Sequence, residues 1–408
     1  MEPQMTTYIK ELTAAIAYGG EAAVTEGDGY CVATFAEAER DPGNAYKAFL
    51  LRNGFAQEAE KAVTGNQFSI YANACVRVHT SWYPSKRLFK AVFEQKGYAP
   101  MQEKPHTDAV CTPQIVQLGR RGASERLPNG APGMSYVLQT ASGGFIIIDG
   151  GPMDQNREDE KQLLEFLLQN KPAKDEKPRI LAWFITHAHH DHIHLAVDFL
   201  KDHADKIVLD TVAYNFPLFS RISITHEDAS KMGDWAEAFK EQVAHDSHTN
   251  TLLLHTGQRF WLEDATVDVV YTADDFAPEI FPWGNHTCCA FRVTFGGKTF
   301  LVLGDCEKKL CQFMADVYGA ALKSDILQVS HHGVNGACID LYQAVDPDIC
   351  FWPIDEFRFF NHVQIRGEKA WDFNRWILDD SIKKRAHYHS SADTVLKICN
   401  GDIVTETL

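Results

Sequence analysis

Apolar residues in this chain fall in short, regularly punctuated runs rather than long ones. From about residue 115, the segments 115–118, 135–140 and 145–148 read as strands, the last two joined by the turn-forming Ser142-Gly143-Gly144. Segment 161–169 has helical periodicity. Segment 180–185, Ile-Leu-Ala-Trp-Phe-Ile, is six consecutive apolar residues, the pattern of a strand buried on both faces. A histidine-rich stretch follows it directly, and 193–200 reads as a helix. A second batch repeats the alternation. Strands are predicted over 252–255, 267–272, 288–295 and 299–303, with Gly296-Gly297 turning between the last two, then a helix over 307–318. A strand at 326–329, a helix at 339–345, a strand at 349–353, a helix at 368–378 and a strand at 394–398 complete it. Two batches of alternating elements, each containing hairpins, predict an α/β (α+β) fold in which two mixed sheets pack together under helices.

The pattern is weaker before residues 104–114, where the sequence changes character. A helix over 6–17 and a strand-like stretch over 68–82 are the only elements it predicts there, and no catalytic pattern stands out. The expected organisation is an accessory region at 1–112, packing on the rest or forming an interface, and a main domain at 113–408.

Composition narrows the class. Apolar residues make up 45% of the 408 and charged residues 23%, the balance of a soluble globular protein large enough to bury a full core. A formal net charge of -16 works against long nucleic acids, because phosphate binding draws on surplus Lys and Arg. A small soluble substrate is favoured, with nucleic acid open only to a local basic patch or a basic second subunit; a homo-oligomer is compatible with everything seen. The ten cysteines contain no CxxC pair, residues 1–15 have no apolar leader core, and the longest apolar runs are far short of a membrane span. The expectation is a cytoplasmic protein with reduced thiols and no membrane partner.

The chemistry concentrates in Thr186-His187-Ala188-His189-His190-Asp191-His192. A buried strand ending in a short loop before a helix holds such residues rigidly at a sheet edge, where ligands bind. Imidazole and carboxylate donors suit zinc, with manganese or iron as alternatives. His187 and His189, two apart, converge on one ion, and Asp191 and His192 face a neighbouring one. The plain alternative is a histidine-rich surface loop.

The run from Phe184 to His192 resembles the His-x-His-x-Asp-His signature of the metallo-β-lactamase superfamily, whose members use an αββα sandwich with a two-metal site at the open edge of the sheets. The resemblance extends to three strand ends. Asp149, after strand 145–148, matches a residue that orients the histidine loop, a turn residue being the alternative. Asp305, in Leu303-Gly304-Asp305, matches the aspartate that bridges the two ions. Ser330-His331-His332-Gly333 matches the final ligand, with His332 favoured over His331. Span 115–408 is similar in pattern to the soluble domain of bacterial competence (DNA-uptake) proteins, through Asn285-His286-Thr287, the Gly296-Gly297 hairpin and Ser-His-His-Gly. That group includes phosphodiester-cleaving enzymes.

The resemblance implies a hydrolase with two divalent ions bridged by Asp305, a hydroxide held between them, and Asp191 accepting a hydrogen bond from it. Ser330 or a nearby histidine would protonate the leaving group. The implied substrate is a small phosphodiester or related ester; a di-iron redox protein and a metal-binding regulatory protein are the alternatives. Three departures from the pattern matter. His190 stands where a small residue is usual, His194 where Gly-Gly often follows, and the candidates for the further histidine of the first ion are His286 and, less favoured, His255; if neither binds, that ion relies on His187, His189 and Asp305 plus water. His387 and His389 read as strand residues that could rim the site. Trp352, Phe357, Phe359 and Phe360 read as core, with an apolar substrate wall as the alternative.

Overall fold

The computed structural model describes residues 22–38, 42–96, 108–119, 134–151, 157–223, 228–334, 336–360 and 372–407. The helix expected over 6–17 and the first residues of the one expected over 368–378 lie outside them; the latter is present from Asp372–Leu378.

Strand Phe145–Ile148 shows how side-chain alternation builds the layers. Phe145 and Ile147 turn to one face, against Leu163 and Leu167 of helix Glu158–Asn170 and Ala196 and Phe199 of helix His190–His203. Ile146 and Ile148 turn to the other, against Phe300 and Val302 of the opposing sheet. That opposing strand alternates in turn: Leu301 and Leu303 leave the inter-sheet core and pack on Leu310 and Met314 of helix Lys308–Tyr318 and on Leu341 of helix Ile339–Val345. The result is helices, sheet, sheet, helices. One sheet has nine strands and the other seven, both mixed. Fully burying each Ile, Leu or Phe in these layers contributes about 1.5–3 kcal/mol.

Strand Arg179–Phe184 lies inside the nine-stranded sheet, parallel to Phe145–Ile148 on one side and to Thr211–Tyr214 on the other. Helix His190–His203 starts three residues earlier than its apolar period indicates, which places Asp191 and His192 in its first turn. Among the described residues, the longer elements of this body that were not predicted include strands Thr211–Tyr214, Arg259–Leu262 and Asp402–Thr407, and helix Asp228–Ala244.

Among the described residues, the N-terminal part is a six-stranded antiparallel sheet with the α-helix Gly43–Arg52. The single strand expected over 68–82 is two, Asn66–Ala72 and Val76–Tyr83. They are separated by a turn in which the Asn73 carboxamide accepts hydrogen bonds from the backbone of Cys75 and Val76. Strand Ala56–Val63, Ala-Gln-Glu-Ala-Glu-Lys-Ala-Val, is built of residues that favour helix, so its pairing with Asn66–Ala72 overrides propensity. One face of the sheet packs on its own helix through Val78, Phe89, Ala91 and Phe93. The other faces the body, where Tyr83 donates to Asp275 Oδ1 at 2.7 Å and Tyr30 to Asn215 Oδ1 at 3.0 Å.

Candidate metal centre

The histidine loop is fastened from below by one carboxylate. Asp149, fully buried after strand Phe145–Ile148, accepts from the Thr186 amide at 2.7 Å, from Thr186 Oγ1 at 2.8 Å and from His192 Nδ1 at 2.7 Å. With Nδ1 engaged on Asp149, His192 turns Nε2 toward Asp305 Oδ1, 3.2 Å away. His332 is set in the same way: its Nδ1 donates to the Pro353 carbonyl at 2.7 Å, and its Nε2 stands 3.3 Å from Asp191 Oδ2 and 3.4 Å from Asp305 Oδ2.

Close packing brings the other strand ends in. Gly304, at φ 55°, precedes Asp305, and a Cβ there would stand 2.9 Å from Thr186 Cβ, so only glycine lets the two loops meet. His331 and His332 take left-handed backbone at φ 48° and 55°, and Gly333 follows at φ 74°. This bends the chain sharply after strand Ile326–Gln328 and delivers His332 inward.

Two groups of ligand atoms result, each within 4.8 Å of one another: Asp191, His192, Asp305 and His332, and His187, His189 and Asp305. Asp305 belongs to both. Within the first group His192 Nε2, His332 Nε2 and Asp305 Oδ1 are buried yet make no hydrogen bond. Buried polar atoms are normally satisfied, so orphans aimed at a common point fit a cation. The charges agree. Burial alone would raise Asp191 and Asp305, but His192 and His332, which these carboxylates hold protonated where no cation is bound, reverse this and keep both carboxylates ionised; a bound cation would take over that positive charge. Burial, with His192 and His189, holds His187 well below the ordinary imidazole range, in the neutral form that binds metals.

A model of the metallo-beta-lactamase superfamily matches residues 128–352. The chain belongs to the metallo-β-lactamase superfamily. No curated protein matches it. Among solved structures it is similar to the metallo-beta-lactamase fold protein YhfI from Bacillus subtilis, at 14% identity and TM-score 0.42 over 69% of this chain and 99% of that one. The diiron β-hydroxylase CmlA from Streptomyces venezuelae gives 12% and 0.38 over 75% of this chain and 55% of that one. The short form of human tRNase Z gives 13% and 0.33 over 58% and 90%.

The remaining residues singled out in the superfamily pattern lie as follows. His331 is outside both groups; its Nε2 meets Asn285 Nδ2 at 3.2 Å and stays 3.8 Å from Asp305 Oδ2. His286 is also outside them, its Nε2 3.3 Å from Glu307 Oε2. His255 belongs to a separate cluster with His79 and Glu94. Ser330 Oγ donates to the Cys306 carbonyl at 2.5 Å. His190 and His194 pack on Trp235 of helix Asp228–Ala244, with ring centroids 5.4 and 5.1 Å away. Their bulk therefore serves a helix–helix contact. His387 accepts from Trp352 Nε1 at 3.0 Å, and His389 packs against Phe359 with the rings tilted and their centroids 4.1 Å apart. Trp352 and Phe359 are core, whereas Phe357 and Phe360 are exposed, because the chain leaves the sheet after strand Ile349–Trp352.

Three participants went unnoticed in the sequence. Glu307 is the acceptor of His286 and Asn285. Gly284 abuts His189, where a Cβ would lie 2.4 Å from Nε2. Trp235 sits in a helix that the apolar pattern did not predict. Only the short interval between Asp305 and Glu307 was a usable signal.

Proposed function

We propose that the chain is a dinuclear metal-dependent hydrolase acting on a phosphodiester or related ester. The observation that carries this reading is the sharing of Asp305 by two convergent ligand groups. Asp191, His192, Asp305 and His332 would hold one divalent ion, and His187, His189 and Asp305 the other, zinc being the best match to imidazole and carboxylate donors. When bound, such ions supply Lewis acidity and bring the pKa of water toward about 7. Asp149 and the Pro353 carbonyl orient the imidazoles from behind, which keeps their Nε2 lone pairs aimed into the site. His331 is the group we assign to the leaving-group side. Its Nε2 lies beside the site, 3.2 Å from Asn285 Nδ2 and 3.8 Å from Asp305 Oδ2. Ser330, spent on the Cys306 carbonyl, is the weaker choice.

The phosphodiester assignment follows the pattern shared with the competence-protein domain, and the net charge of -16 favours small substrates over long nucleic acids. Among the described residues no helix is long and apolar enough to cross a membrane. The test is hydrolysis of bis(p-nitrophenyl) phosphate by the full chain loaded with zinc or manganese. Asp305→Ala and His189→Ala, with unchanged circular dichroism, should lose activity. Full activity in either would sink the reading, and bound iron with oxygen or nitric oxide consumption would replace it by redox chemistry.

A further inference from the structure

We propose that His79, Glu94 and His255 form a further metal site, separate from the superfamily site, that takes one zinc ion and ties the N-terminal sheet to the body.

Alternation along neighbouring strands creates the cluster. In Val76–Tyr83 and Leu88–Gln95, Val78, Phe89, Ala91 and Phe93 face the sheet's own helix, so His79 and Glu94 face the body. His255, just after strand Asn250–Leu253, comes up from the other side. His79 Nε2 stands 2.9 Å from Glu94 Oε1, His255 Nε2 stands 3.6 Å from Glu94 Oε2, and the two ring centroids are 4.7 Å apart. Exposure is 3% for His79, 6% for Glu94 and 0% for His255.

The decisive atom is His255 Nε2, which is buried and makes no hydrogen bond. Its partner nitrogen, Nδ1, meets Asp274 Oδ2 at 2.7 Å. A buried imidazole with one nitrogen on a carboxylate and the other unpartnered and facing a second carboxylate is the arrangement of His192, between Asp149 and Asp305. Metal-ligating histidines carry this outer carboxylate as a rule. The separation of 3.6 Å is poor for a hydrogen bond, but it suits two atoms each about 2.1 Å from one zinc. His79 Nδ1 also lacks a partner. A cavity of about 340 Å³, lined in part by His79, Thr80, Thr256 and Gln258, adjoins the cluster on its His79 side.

The competing occupant is a proton. Arg77 Nη1 lies 3.4 Å from Glu94 Oε1 while its Nε pairs with Glu58, and Lys90 and Arg221 act on Asp274. Burial lowers His255, yet Asp274 and Glu94 bring it up to about 9, so an ion pair would form where metal is lacking. The two occupants differ in what they leave behind. Purified in zinc, the full-length double variant His189→Ala/Asp305→Ala should keep one equivalent through gel filtration, and adding His255→Gln should remove it. A folded double variant with no zinc, or retention after His255→Gln, overturns the site. Because the double variant leaves Asp191, His192 and His332 in place, it is the loss of the equivalent on His255→Gln, and not its retention alone, that separates this site from the two-metal centre. Should that variant not fold, anomalous diffraction at the zinc edge from wild-type crystals decides. A peak between His79, Glu94 and His255 supports the site; none there, with the Asp305 centre filled, overturns it.

Discussion

The two ligand groups that share Asp305 are built to different standards. The group of Asp191, His192, Asp305 and His332 is buried throughout, its histidines braced by Asp149 and by the Pro353 carbonyl. The group of His187, His189 and Asp305 has three members, and His189 is only partly buried. His189 is the residue before helix His190–His203, while Asp191 and His192 lie inside its first turn. A helix and a buried carboxylate hold one half; a loop and the close approach of Gly284 hold the other. If both halves take metal as proposed, one ion is firmly kept and the other exchangeable, with open positions for substrate and water.

The largest effect should come from removing what the halves share. Asp305→Ala takes an anchoring carboxylate from both, and kcat/KM should fall at least about a thousandfold, roughly 4 kcal/mol of transition-state stabilisation. Metal analysis should show depletion of both ions, and retention of two equivalents would show that Asp305 bridges nothing. Next comes the difference itself. Chelator added to the loaded protein should withdraw the ions in two phases, the faster from the His189 side. His332→Ala reduces the four-member group to three, so the phases should merge. Two distinct phases in that variant would mean that ligand number does not set the order.

Much of this site was legible in the sequence because the superfamily pattern marks the ends of strands, and strands here are strongly apolar. Run 180–185 and the strands before Asp149, Asp305 and His332 all lie within a residue or two of their predicted positions. What escaped was set by tertiary contact. Strand Ala56–Val63 has helix-forming residues and is a strand only because it pairs. His255 looked like a strand end in isolation; its partners are 161 and 176 positions earlier, in a sheet of which only the stretch 68–82 was predicted. Helix Asp228–Ala244 was invisible for a related reason: its buried residues Met232, Ala236, Phe239 and Val243 are sparse among polar and charged ones.

Asp149→Asn should act on one half more than the other. The amide keeps the shape but cannot accept from both Thr186 and His192 as the carboxylate does, and loss of such an outer partner costs about 10–100-fold in metal affinity. Competition with a zinc indicator should place that loss in the tightly held equivalent. An equal loss from both would mean that Asp149 supports the whole loop rather than His192.

The smallest effect tests whether the crowding histidines matter to the site at all. His190 and His194 lie on the outer side of helix His190–His203 against Trp235, and His190 Nδ1 is 3.7 Å from Asp191 Oδ1, too far for a hydrogen bond. Trp235 is only partly buried, so Trp235→Ala should cost about 1–2 kcal/mol, less than a core tryptophan. The melting temperature should drop by a few degrees while two equivalents of metal stay bound and kcat/KM stays within about threefold. The reason is that Asp191 and His192 are fixed from the opposite side, by the His332 and Asp149 contacts that Trp235 does not touch. If Trp235→Ala instead released metal from the Asp191 half alone, the helix packing would be part of the site's rigidity, and the contrast between the halves would extend to their supporting helices.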